Sequence, residues 1–447
     1  MFFSNRESHQ QLFVLAVPMI LSNITVPLLG LVDTAVIGHL EHAYYLGGST
    51  VGAMIITVIS WLCGFLRMTT TGLAAQAFGQ QNNQQNFIVL LRGLFVALCI
   101  GVGVILVQSP YISAALYMSG GSEEVLFYAR QYSEIRVWGI PAALANLVLL
   151  GWLLGNHKAK AVMWIIIVTN IINLLLDVFF VLSLNWQVAG IAYATVLAEY
   201  SGVLISSWFI ARHFKQHIVQ SIIGLKTELI HKTALLRYFK LNRDILIRTL
   251  CLQSCFVFIT FQGARLGDNV VAANAILMNF LLFISFGLDG IANAAEVMVG
   301  KAKGEQSHKR LKEVFKVSVF WTLVFAALYS ALFIIAGEFF VGLISDIEPV
   351  VQYSYQYLPW IMALPLLACW SYLFDGIYIG LTQGKAMRNS MVIATFGCFF
   401  PMWWLLQHYE NHGLWLAFSF FMMARGVTLA WHFYRHIWCD EFMVINK

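Results

Sequence analysis

The chain is 447 residues long, 60% hydrophobic and only 11% charged, with a formal net charge of +5. Soluble globular chains carry about 25% charged residues, so the composition excludes a soluble domain and describes an integral membrane protein. The excess of base is too thin for a nucleic-acid surface and bears on membrane topology instead.

Apolar segments fall at about 11–40, 46–78, 86–108, 124–155, 160–184, 188–211, 244–266, 269–300, 315–336, 350–382, 389–407 and 413–436. Each is long enough to cross a bilayer, which takes about 20 apolar residues. The first includes VPMILSNITVPLLGLVDTAVIGHL, Val17–Leu40. Asp33 in this stretch costs about 2.5–3.5 kcal/mol on insertion scales, and such a charge belongs on an ion or substrate path. Pro18 and Pro27 each remove a backbone N–H, disrupting the bonds to the carbonyls of Val14 and Asn23. A bent helix with a buried acid is the result. The N-terminus has neither the basic region nor the small-residue cleavage site of a signal peptide, so this span is expected to be retained.

The loops alternate in charge along the chain. Lys158 and Lys160, the run from Arg212 to Arg243, Lys301 to Lys316, and Lys385 with Arg388 lie on one side. Glu41, Glu123, Glu124, Glu338, Asp346, Glu348 and Glu410 lie on the other, with Arg265 as the clear cation among them. The positive-inside rule makes the first set cytoplasmic and places both termini there. The longest loop mixes apolar and basic residues, as an amphipathic helix on the inner membrane surface would.

An internal repeat divides the chain. The second and eighth spans share an apolar block to a phenylalanine (Phe65, Phe286) and a small-residue run to a glycine (Gly79, Gly300). The pairs are offset by 221 residues, half the chain. The expected organisation is an N-terminal six-helix bundle over 1–211, a basic linker over 212–243 and a C-terminal six-helix bundle over 244–447. This is an all-α polytopic membrane protein: twelve transmembrane helices in two pseudo-symmetric six-helix bundles around a central cleft. That is the architecture of a transporter.

Polar residues inside the spans mark candidate sites. Asn173 and Asp177, four apart, share one face of the fifth span, and Asn170 extends the stripe. A lone membrane asparagine usually serves helix packing; beside an aspartate, in the half that carries Asp33, it points to function. The sixth span adds Thr195 and Glu199, and the fourth adds Tyr132, Glu134, Arg136 and Pro141. Glu134 and Arg136 fit either snorkelling or a local ion pair. In the second half, Asp375 and Asp289 are candidates for a cation or cavity site. Arg67 and Arg425 are most economically explained by pairing between spans. The seven cysteines are scattered without CxxC or Cys/His spacing, so no disulfide framework, firm metal site or cofactor is expected.

These motifs resemble the multidrug and toxic compound extrusion (MATE) family, in its DinF-type branch, over essentially the whole chain. The most specific match is P-x8-P-x5-DTAVIGHL, carrying Pro18, Pro27, Asp33, Thr34, Gly38 and His39. GLAAQAFGQ at 72–80, R-x2-G-I-P at 136–141, N-x3-D at 173–177 and FDGIYIG at 374–380 also match. The resemblance implies that Asp33 couples a cation, that Pro18 is the helix hinge, and that Tyr132, Asn173, Asp177 and Thr195 lie near the acid. The sodium-coupled branch has an acid in its seventh span, where this chain has no mid-membrane acid, whereas Asp375 matches that branch's tenth-span acid.

The function expected is proton-driven antiport of small amphipathic, often cationic, organic compounds by a monomer in the bacterial inner membrane. Burial raises carboxylate pKa values, and protonation of Asp33 would bias the first helix towards bending at Pro18 or Pro27. The main alternative is sodium coupling, with Na+ at Asp33, Asn173 and Asp177. A lipid-linked precursor flippase is disfavoured by the span count and the few buried arginines. An enzyme is disfavoured because neither DDxxD nor HExxH occurs.

Overall fold

The computed structural model describes residues 6–38, 42–213 and 232–438. These form helices and short connections, with no strand among the described residues. Ten stretches are long and apolar enough to cross a membrane. The longest, Gly384–Trp438, turns at Gln407–Tyr409 and holds two crossings. With the first helix, Arg6–Gly38, that makes twelve among the described residues. Of the long loop over 212–243, expected to hold an amphipathic helix, residues 214–231 lie outside the described residues, and 232–243 begin the helix Lys232–Leu266.

The crossings are α1 (Arg6–Gly38), α2 (Tyr44–Gly79), α3 (Asn83–Leu106), α4 (Glu123–Gly155), α5 (Ala159–Ser183) and α6 (Gln187–His213). Then come α7 (Lys232–Leu266), α8 (Asp268–Gly304), α9 (His308–Ile344) and α10 (Glu348–Gly380). The last pair is α11, from Gly384–Val392 through Phe400–Leu406, and α12 (Glu410–Phe433). At 37 residues, α8 extends for about 55 Å, well beyond a hydrocarbon core of about 30 Å. A short helix, Gln108–Ser119, follows α3. Several crossings are broken where the chain chemistry allows it. A turn at Val137–Gly139 precedes Pro141 in α4, and a wide π-turn at Ile393–Phe399 precedes Pro401 in α11.

The chain falls into two compact units. One comprises the stretch from Leu21 to Tyr238; the other comprises the chain from Phe239 onward together with residues through Ile20. The change of membership within α1 thus lies between Pro18 and Pro27.

Two local devices recur in both units. The turns after α2, α4, α8 and α10 place Gln81, His157, Gln306 and Thr382 in the left-handed region, φ 53–60°. Each turn is closed by the same two bonds, such as Gln81 N–H to Phe78 O and Asn82 N–H to Ala77 O, or Gln306 N–H to Lys303 O and Ser307 N–H to Ala302 O. This is the helix-ending motif usually built on glycine, here made by side-chain-bearing residues at a cost of about 1–3 kcal/mol each. Gln81 and Gln306 lie 225 residues apart, as do His157 and Thr382. Gly79 therefore corresponds to Gly304, not Gly300. The slip of four residues is close to one helical turn, so both pairings put similar residues on similar faces.

The second device is G-x-x-x-G. Gly151 and Gly155 of α4 lie against the backbone of α2, where an added Cβ would come within 2.8 Å of Arg67 O and 2.7 Å of Thr71 O. Gly376 and Gly380 of α10 meet the carbonyls of Ala292 and Glu296 on α8 in the same way. Helices in lipid gain stability mainly from such close packing. These contacts fix how closely the second and fourth crossings of each half abut.

Candidate functional site

Each unit buries a polar site. In the N-terminal half, the fifth crossing supplies Asn173 and Asp177, 1% and 0% exposed. Asn173 Nδ2 donates to Thr195 Oγ1 on α6 across a long 3.4 Å, and Thr195 donates to the Ile191 carbonyl at 2.9 Å. Asn173 Oδ1 is buried and has no hydrogen-bond donor among the described residues. Tyr132 of α4 is buried with Val181, Val188, Ile191 and Ala192, which brackets it between the Asp177 and Thr195 segments of α5 and α6. The structure thus brings together four of the five expected coupling residues. Asp33 lies on α1, but its side chain is outside the described residues. Pro18, buried, and Pro27, half-buried, both sit inside a helix assigned from Arg6 to Gly38.

One helical turn beyond Tyr132 and Thr195 lie Arg136 and Glu199. Arg136 donates Nη1 to Glu199 Oε2 and Nη2 to Oε1, both at 3.0 Å. The pair occupies space left by Gly139, whose Cβ would collide with Glu199 Oε2 and approach Arg136 Nη1 to 2.9 Å. Asn146 Nδ2 donates to the Glu199 carbonyl at 2.8 Å. Of the two expectations for this motif, the ion pair holds for Arg136. Glu134 is exposed and faces Arg130 at 3.7 Å. The sequence pattern did not pair Glu199 with Arg136, although each lies four residues from an expected coupling residue on its own helix.

On α5, one turn before Asn173, Asn170 Nδ2 donates to Thr25 Oγ1 of α1 at 3.1 Å. Thr25 itself donates to the Ser22 carbonyl at 2.7 Å.

The second-half site is built differently. Asp375 of α10 accepts from Arg248 of α7 and from Arg425 of α12, the latter at 2.6 Å, both on Oδ2. Arg425 also lies 5.5 Å over the Phe421 ring. All three charged residues are buried. Two guanidiniums flank one carboxylate, so this acid, a candidate for a cation or cavity site, sits in a cluster with an excess of positive charge. Arg248 was invisible as a partner because 127 residues separate it from Asp375. Asp289 is half-buried on α8, and one turn before it Ser285 hydrogen-bonds Tyr372 at 2.5 Å. No group of three or more His, Cys, Asp or Glu set to hold a metal occurs among the described residues.

A family model, MatE, matches this chain twice, over residues 18–179 and again over 245–405. DNA damage-inducible protein F of Escherichia coli (strain K12) is 44% identical over 430 residues, covering 96% of this chain and 93% of its own. Among solved structures, a MATE protein in the straight conformation matches with TM-score 0.82 at 18% identity, covering 96% of both chains. One in the bent conformation matches with TM-score 0.82 at 18% identity, covering 97% of this chain and 98% of its own. At that identity the likeness establishes the fold.

Proposed function

Because the chain belongs to the multidrug and toxic compound extrusion family, in its DinF-type branch, we propose that it exports amphipathic, often cationic, organic compounds in exchange for protons. Asp33, Tyr132, Asn173, Asp177 and Thr195 form the coupling set in this reading, and α1 is the moving element. The observation that carries it is the buried Asn173 Oδ1 without a donor, one turn from the fully buried Asp177. An unfilled buried acceptor costs about 1–3 kcal/mol, and a protonated carboxyl in the same site would fill it. In this reading a proton from outside is taken up by the coupling set.

The proton then acts on α1. Neutralising Asp33 changes its hydrogen bonds and favours bending at Pro18 or Pro27, as the bent and straight forms of the structural relatives suggest. Pro18 lies fifteen residues before Asp33, roughly 22 Å along the helix, so the bend acts at a distance from the acid. Bending narrows the cavity and expels substrate. In this reading Asp375 takes no part in coupling, because its carboxylate is shared between Arg248 and Arg425. In this reading both termini lie in the cytoplasm, which the loop-charge alternation supports, and the protein works as a monomer in a bacterial inner membrane.

The test is substrate flux in proteoliposomes under separately imposed gradients, with fluorescent organic cations as substrates. A proton gradient alone should drive efflux. Flux driven by sodium with the proton gradient collapsed would overturn the proton reading and assign the oxygens of Asp33, Asn173 and Asp177 to Na+.

A further inference from the structure

The Thr25–Asn170 contact lies where two lines of the structure meet. Thr25 belongs to the α1 stretch between Pro18 and Pro27, in which membership passes from one compact unit to the other after Ile20. Asn170 belongs to the same α5 face as Asn173 and Asp177. The Thr25 hydroxyl both donates and accepts: it donates to Ser22 O at 2.7 Å and accepts from Asn170 Nδ2 at 3.1 Å. A hydroxyl bonded back to its own helix in this way is a device that bends helices. Pro27, two residues on, has no N–H to offer the Asn23 carbonyl. The segment is therefore intrinsically pliable, and a side-chain bond to a neighbouring helix decides where it rests.

From this juxtaposition we infer that Asn170 is a positioning residue for the first helix: its amide latches Thr25, holding the inter-proline segment against α5, and bending of α1 releases the latch. The inference rests on the proposed bending of α1 and supplies the contact through which the α5 polar face controls it. Asn170 and Asn173 occupy successive turns, so a shift of α5 or of its side chains on filling the acceptor at Asn173 is felt at Thr25 within about 5 Å. Asp177 lies further along α5, Asp33 further along α1, and the Arg136–Glu199 pair joins α4 to α6. The latch itself is a bond between two uncharged side chains.

Three variants test the latch: Thr25→Val, which keeps the shape and removes the hydroxyl, Asn170→Leu, and the double variant. Efflux is measured against pH in proteoliposomes, and spin labels on α1 and α5 report the distance between the two helices. Loss of one membrane hydrogen bond should shift the balance between the two α1 arrangements about three- to tenfold. Because bending goes with protonation, the pH midpoint of efflux should rise by about half to one unit, and label distances should move towards the bent population. The double variant should shift no further than either single one, and Thr25→Ser, which restores the hydroxyl, should return the wild-type midpoint. Additive shifts, or unchanged midpoints with unchanged label distances in properly folded variants, would overturn the latch. If the wild type shows no proton-driven flux, the proton reading fails on its own, and the label distances still decide whether Thr25 and Asn170 set the position of α1.

Discussion

Arg136 grips both carboxylate oxygens of Glu199 at 3.0 Å, one helical turn from Tyr132 on α4 and from Thr195 on α6. The pair is nearly buried, with side chains 11% and 19% exposed. It closes one end of the polar set formed by Tyr132, Asn173, Asp177 and Thr195, and it fastens α4 to α6 there. Removing one partner leaves a charge stranded in the membrane interior.

Glu199→Gln should therefore destabilise the protein by about 3–5 kcal/mol, seen as a lowered melting temperature in detergent. Replacing both residues, Arg136→Met with Glu199→Met, should recover most of that loss, because no charge is then left unpaired. A double variant as unstable as the single one would show that the pair contributes more than charge compensation.

Asp33→Asn mimics the protonated acid. It should abolish proton-coupled export while leaving the protein folded and able to bind substrate. Undiminished proton-driven efflux by this variant in proteoliposomes would remove Asp33 from the coupling set.

Asp375→Asn has a different expected outcome. It strips the shared carboxylate from Arg248 and Arg425, which are 6% and 3% exposed, and should cost about 3–5 kcal/mol. The measurable result is poor folded yield and early melting, rather than a stable protein that has lost coupling. A well-folded variant with altered ion selectivity would return Asp375 to the transport site.

Gly376→Ala places a methyl against the Ala292 carbonyl, where backbone must move to admit it. About 1–3 kcal/mol of overpacking is expected. Gly342→Ala, at a position with nothing within 4 Å, is the control and should melt like the wild type. Equal melting of the two variants would argue against close α8–α10 packing.

Pro18→Ala restores an N–H to the Val14 carbonyl and stiffens α1. Turnover should fall several-fold with substrate affinity little changed, and spin labels flanking the residue should report less bending. Normal turnover with bending intact would move the hinge to Pro27.

Much of this protein follows from local chemistry. Apolar runs set the number and placement of crossings, because lipid accepts only backbone that satisfies its own hydrogen bonds. The four-residue spacing of Asn173 and Asp177 put both on one buried face before any contact was known, since helical periodicity alone decides that. Tertiary structure decided the partners. Asp375 is flanked by Arg248 and Arg425, 127 and 50 residues away in sequence, and Arg136 meets Glu199 across 63 residues. No periodicity relates such positions; Gly139 leaves the room in which Arg136 and Glu199 meet, and Gly426 lets α12 close on Trp370 and Ser371 of α10. The offset of the repeat was likewise settled by the turns at Gln81 and Gln306, since a slip of nearly one helical turn leaves the residue pattern almost unchanged. Asn170 shows the division within one residue. Its place on the polar face of α5 is a matter of sequence spacing, while its grip on Thr25 exists only because the fold lays α1 beside it.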